Sequence, residues 1–148
     1  MKGILIGIGN PNFRDDGVGF WVVKALEKEV KAVHFLSPTL NMLNHMFGYE
    51  KAVIVDVVKL GYRPGEIVEF FLEPSGNSEN YFGGLTHSLS LKEVIATGYL
   101  TFKEDMPQCI KFIGVEVEDI QMFKPSLSEP VKKTFPFVVE KVREFLST

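Results

Sequence analysis

Two apolar runs organise this chain. Ile4-Leu5-Ile6-Gly7-Ile8 and Ala52-Val53-Ile54-Val55-Asp56-Val57-Val58 offer almost no polar face, the pattern of parallel strands covered by helices on both sides. Between them, Val18, Trp21, Val22, Ala25 and Leu26 recur at helical spacing, which predicts an amphipathic helix over 17–30. A short strand over 32–36 and a helix over 40–47 complete a βαβαβ opening. Arg63-Pro64-Gly65 then leads into a strand over 66–72 in the manner of a hairpin. The breaker-rich stretch over 73–80 reads as a loop. A helix over 90–99, a strand over 109–117 and a closing helix over 128–146 follow, the last with Val131, Phe135, Val139, Val142 and Leu146 on its apolar face. Pro136 removes one backbone hydrogen bond from that helix and predicts a kink or break near Thr134. Alternating strand and helix signals place the chain in the α/β class with a largely parallel sheet.

Composition narrows the setting. The 148 residues, 45% hydrophobic and 24% charged, fit one globular domain spanning 1–148. With 16 basic against 19 acidic residues the net charge is −3, so there is no basic patch to recruit nucleic acid or an anionic membrane surface. No apolar run approaches the roughly 18 residues of a membrane span, and no secretory pattern opens the chain. A single cysteine, Cys109, excludes an internal disulfide and suits a reducing, cytoplasmic compartment. Its place in an alternating strand favours packing over nucleophilic chemistry.

Candidate chemistry gathers at the carboxyl ends of strands, where open parallel sheets bind their ligands. Gly7-Ile8-Gly9-Asn10 resembles the start of a dinucleotide fingerprint, but Asp15-Asp16 at the next helix start would compete with phosphate for the positive dipole end. Nucleotide binding is therefore disfavoured, and the loop suits a cation or proton chemistry. One aspartate of the pair is open to the plainer reading of a helix cap. Asp56, near the end of the most apolar strand, needs a cation, a donor network or water, since an uncompensated buried carboxylate costs several kcal/mol. Backbone N–H groups of the next loop are the structural alternative. His87, after Gly83-Gly84 and before a helix start, is the histidine best placed as a ligand, with a cap or surface role as its alternative. His34 reads as exposed or edge-paired on a short strand, and His45 lies on a helix face. Two carboxylates and an imidazole with open positions suit a borderline transition metal better than calcium.

These residues resemble a known family, the endopeptidases that mature nickel-iron hydrogenases by removing a C-terminal extension from the large-subunit precursor. The resemblance is carried by Gly7-Ile8-Gly9-Asn10, Asp15-Asp16-Gly17-Val18-Gly19, Val55-Asp56, Thr86-His87-Ser88-Leu89, Gly114-Val115 and Leu127-Ser128, in order along nearly the whole chain. It implies a three-layer α/β/α sandwich and a hydrolase in which Asp16, Asp56 and His87 engage nickel. That nickel belongs to the substrate and serves as its recognition feature, so no nucleotide or resident cofactor is expected. The expected partner is the hydrogenase large-subunit precursor. On this reading Asp16, Asp56 and His87 position the metal for peptide hydrolysis, and Asp15 is a candidate general base. Neither a Gly-x-Ser-x-Gly elbow nor a His-Glu-x-x-His helix offers another protease chemistry. The chain departs from the family where an Asp-Gly-Gly-Thr-like turn is common: it has Leu36-Ser37-Pro38-Thr39, without the acid or the glycines. That change leaves a second reading, a non-catalytic scaffold or metallochaperone that binds the nickel-loaded precursor. Aromatic residues Phe13, Tyr81 and Phe82 are candidates for a partner surface beside the site.

Overall fold

The computed structural model describes residues 2–72, 88–118 and 122–148. Within these, β1 (Gly3–Ile8) leads through a 3-10 turn (Arg14–Gly17) into α1 (Val18–Leu26) and β2 (Ala32–Phe35). There follow α2 (Asn41–Met46), β3 (Lys51–Val58), β4 (Ile67–Leu72), α3 (Ser88–Thr101), β5 (Cys109–Glu116) and α4 (Glu129–Ser147). The sheet order is β2-β1-β3-β5-β4, parallel throughout except for β4, which runs antiparallel to β5.

Period-2 alternation builds a core on each face of the sheet. Ile4, Ile6 and Ile8 of β1 join Ala52, Ile54 and Val58 of β3 under α2 and α3, which contribute Met42, Leu43, Met46, Leu91, Val94 and Ile95. On the other face Leu5, Val53, Val55 and Val57 pack against Val18, Val22, Val23 and Leu26 of α1 and Val131, Val138, Val139 and Val142 of α4. The result is a three-layer α/β/α sandwich with a mostly parallel sheet. Among the described residues no helix is long and apolar enough to cross a membrane.

Two expectations change. The strand at 67–72 does not form a hairpin with β3, because β5 lies between them: Asp56 pairs with Gly114 of β5, and Gly114 pairs in turn with Val68 of β4. Burial explains the order. β5 is almost wholly buried and needs two neighbours, whereas β4 exposes Glu69 and Phe71 and is suited to an edge. The closing helix, too, stays continuous from Glu129 to Ser147 with Pro136 inside it. Pro136 and Lys132 are both exposed, so the carbonyl deprived of its donor faces water rather than the core. The far end of α4 is fixed by buried Lys51, whose Nζ donates to the carbonyls of Phe145 (2.6 Å) and Thr148 (2.8 Å). Near the amino edge of the sheet, Tyr99 donates its hydroxyl to the Pro107 carbonyl at 2.7 Å, and burial, with a smaller contribution from Cys109, pushes the phenol up to about 12. The loop expected over 73–80 lies outside the described residues.

Candidate active site

The chain passes from β1 to β2 on one side and then returns across β1 to place β3 on the other, so the strand order reverses between β1 and β3. This is where doubly wound sheets open a crevice at their carboxyl edge. Asp16 and Asp56 are both delivered to this point. Asp56 is two residues from the end of β3 and shows no exposed surface. Its alternation with Ile54 and Val58 turns it towards the α2/α3 face. Its Oδ1 accepts the N–H of Val57 at 2.7 Å, a neighbour within β3 itself and not a group of the following loop.

The acidic turn reaches the crevice because glycines let it approach. Gly19, in the first turn of α1, sits so close to the strands that a Cβ there would lie 2.6 Å from the Ile8 carbonyl oxygen and 2.7 Å from that of Val55. The turn and α1 are thereby laid directly over the ends of β1 and β3. Gly9 has a φ of +132°, and a Cβ on it would fall 1.8 Å from the Asp16 carbonyl oxygen. This bend aims the Asn10 N–H at Asp16, whose Oδ2 accepts it at 2.8 Å. Asp16 is buried, with 6% of its surface exposed.

Neither aspartate of the pair stands at a cap position: Phe13 precedes the 3-10 turn and Gly17 precedes α1. Asp15, also buried, turns away from the Gly9 loop and takes the N–H of Ser128 at 2.7 Å on Oδ1 and its hydroxyl at 2.6 Å on Oδ2. Ser128 is the residue preceding α4, so these two bonds tie the acidic turn to the start of the closing helix. The same neighbourhood is braced by a bridge between Phe13 and Lys124, with Arg14 N donating to the Lys124 carbonyl at 2.7 Å. Beside it a cavity of about 370 Å³ is lined by Arg14, Asp15, Met122, Ser128 and Glu129. Of the aromatic residues expected at a partner surface, Phe13 is partly exposed and packs edge-on against Phe123, and Tyr81 and Phe82 lie outside the described residues.

Asp15→Asn is accordingly expected to lower stability by about 1–3 kcal/mol, the cost of disturbing buried hydrogen bonds to a charged group. Denaturant melts measure this. Processing lost at unchanged stability would instead mark Asp15 as a base acting on substrate.

His87 lies outside the described residues. In sequence it abuts Ser88, the first residue of α3, a helix that packs on the Asp56 face and must begin toward the carboxyl edge, because it returns the chain to the amino end of β5. Among the described residues no three His, Cys, Asp or Glu side chains are grouped to hold a metal ion. The altered turn after β2 buries Pro38, and with Thr39 and Leu40 it lines a cavity of about 280 Å³ against Glu93, Val94 and Thr97 of α3.

One residue beside the site has a contact that its sequence position does not announce. His34, expected to be exposed or edge-paired, does pair with Gly7 on edge strand β2, where it is half-buried, and its Nε2 lies 2.6 Å from the Gly9 carbonyl. The alternating apolar pattern around it gave no hint of that reach. His45 is half-buried, edge-on to Phe35. Cys109 opens β5 opposite Lys51 as an ordinary strand residue.

Residues 23–144 match the family HycI, described as hydrogenase maturation protease. The chain belongs to the hydrogenase maturation protease family. The matched span includes Asp56 and His87 but begins after Asp15 and Asp16. A curated relative, coenzyme F420 hydrogenase subunit delta of Methanothermobacter thermautotrophicus, is 29% identical over 94% of this chain and 90% of its own length. Similar folds include the hydrogenase maturating endopeptidase HybD from E. coli, with a TM-score of 0.81 and 21% identity over 99% of this chain and 93% of that one. The [NiFe] hydrogenase maturation protease HybD from Thermococcus kodakarensis gives a TM-score of 0.80 and 23% identity over 99% of both chains. These maturation proteases share the α/β fold described above.

Proposed function

We propose that this member of the family is the endopeptidase that removes the C-terminal extension of a nickel-iron hydrogenase large-subunit precursor once nickel has been inserted. The observation that carries the reading is the delivery of two buried carboxylates, Asp16 and Asp56, to the β1/β3 crevice of a chain in a protease family. In this reading Asp16, Asp56 and His87 contact nickel that is still held by the precursor, and the metal is part of the substrate. An incomplete set of protein ligands suits that task, since a resident structural site would be closed. The substrate's nickel supplies Lewis acidity at the scissile peptide. Water adds to the carbonyl carbon, the C–N bond breaks, and the proton lost by water goes to the departing amine. Asp15 holds the acidic turn on α4, as its two bonds to Ser128 suggest. The work is placed in the cytoplasm.

A second reading, a scaffold that binds the loaded precursor without cutting it, is favoured by one feature: the turn at Ser37-Pro38-Thr39 lacks the acid and glycines common in the family.

Mass spectrometry of a large-subunit precursor incubated with the protein separates the two. Loss of a discrete C-terminal peptide from nickel-loaded precursor, and no loss from the nickel-free form, is the expected result. A stable complex with no change in mass would replace the protease by the scaffold.

A further inference from the structure

The Gly9–Asn10 peptide is held at both ends. Its N–H donates to Asp16 Oδ2 at 2.8 Å, and its carbonyl is contacted by His34 Nε2 at 2.6 Å. A carbonyl can only accept, so Nε2 must carry the proton and donate it, which sets the tautomer of a neutral His34. Gly9 N–H in turn donates to the Phe35 carbonyl at 2.9 Å, so consecutive residues of β2 grip both polar groups of Gly9. The imidazole is kept in place by the Phe20 ring, edge-on with centroids 5.0 Å apart. A bond to the oxygen of a peptide polarises the unit and strengthens what its N–H donates.

We propose that His34 is a positioning residue for Asp16, acting through the Gly9–Asn10 peptide: it locks the peptide plane and sharpens the N–H that orients the Asp16 carboxylate towards the crevice. This rests on the reading of Asp16 as a contact for the precursor's nickel. Sequence spacing hides the relation, because His34 belongs to the neighbouring strand and meets Gly9 only through its backbone.

The test replaces His34 by Phe, which keeps a ring against Phe20 but loses the donor, by Gln, whose amide nitrogen falls near the position of Nε2, and by Asn, whose amide nitrogen mimics Nδ1 and falls short. Processing of nickel-loaded precursor, thermal melts and the amide proton shift of Asn10 are measured for each, with Asp16→Ala alongside. His34→Phe and His34→Asn are expected to lower kcat/KM about 10-fold, the effect typical of losing a partner that orients a metal-contacting side chain. The Asn10 amide should move upfield in both, and His34→Gln should recover rate and shift together. Normal processing in the Phe and Asn variants, with Asp16→Ala inactive, would overturn the role of His34 alone. Slowed variants with an unmoved Asn10 amide and no recovery by Gln would reduce His34 to packing and overturn it equally. Normal processing by Asp16→Ala would remove the reading of Asp16 and this proposal with it.

Discussion

Asp56→Asn is expected to fold like the native protein and to lose processing by at least about 100-fold, the scale on which removing a metal-contacting or proton-handling group is felt. The side chain has no exposed surface, so its carboxylate is kept in a costly environment at the end of a strand that is otherwise apolar. Asparagine retains an oxygen in place of Oδ1 to accept the Val57 N–H, and the backbone beside it therefore keeps its partner. What disappears is the negative charge that a nickel ion would meet, together with one of the two acceptor oxygens. Thermal melts give the folded fraction, and after correction for it mass spectrometry should find nickel-loaded precursor still full length. Cleavage within about threefold of native by the Asn variant would mean that Asp56 is a structural carboxylate satisfied by its own strand, since a lost metal contact costs about 10-fold or more. Alanine at this position is a poorer probe, because it also strips the Val57 N–H of its acceptor, which costs about 1–3 kcal/mol when buried.

The strands that carry the site were legible because burial on two faces leaves a signature that propensity alone does not. β1 and β3 read as continuous apolar runs, and the structure places both in the middle of the sheet. Helix ends were less legible. Glu27, Lys28, Glu29 and Val30 extend the apparent helical pattern past its end, whereas α1 stops at Leu26 rather than at 30. Ala25, included in the apolar stripe, is exposed, and Val23 takes the buried place because α1 faces both the sheet and α4. The order of β4 and β5 was out of reach, since turn residues can announce a reversal of direction without saying which strand it pairs with.

Within the site, carboxylates at the ends of strands could be singled out from the cost of burying them. Their partners could not. Asp15 and Ser128 stand 113 positions apart, and Ser128 was visible only as a residue near the closing helix. His34 stands 25 positions from Gly9 and interacts through a carbonyl, a group that every residue possesses and no motif records. Side chains that act on backbone are the part of a site that a pattern of residue types reveals least.

Gly9→Ala carries the other large expectation, and it reaches Asp16 without touching it. A φ of +132° is open to glycine and strained for alanine, at a cost of about 1–3 kcal/mol. The clash adds to this. The new methyl group would lie 1.8 Å from the Asp16 carbonyl oxygen, which is backbone and has no rotamer by which to escape. Either the acidic turn lifts from β1 or the Gly9–Asn10 peptide rotates, and in both cases the Asn10 N–H no longer meets Oδ2. Processing should therefore fall by at least about 100-fold, since a misplacement of about 1 Å at a positioned group is already costly on that scale. Gly61→Ala supplies the comparison: its φ is +88°, yet nothing lies within 4 Å of the added carbon, so it bears the backbone strain without the collision. If strain alone governed the outcome, the two variants would lose similar stability and both would process normally after correction for the folded fraction. The geometry instead requires that Gly61→Ala cleave normally once folded, while folded Gly9→Ala remains inactive because the peptide that aims Asp16 has been turned away from it.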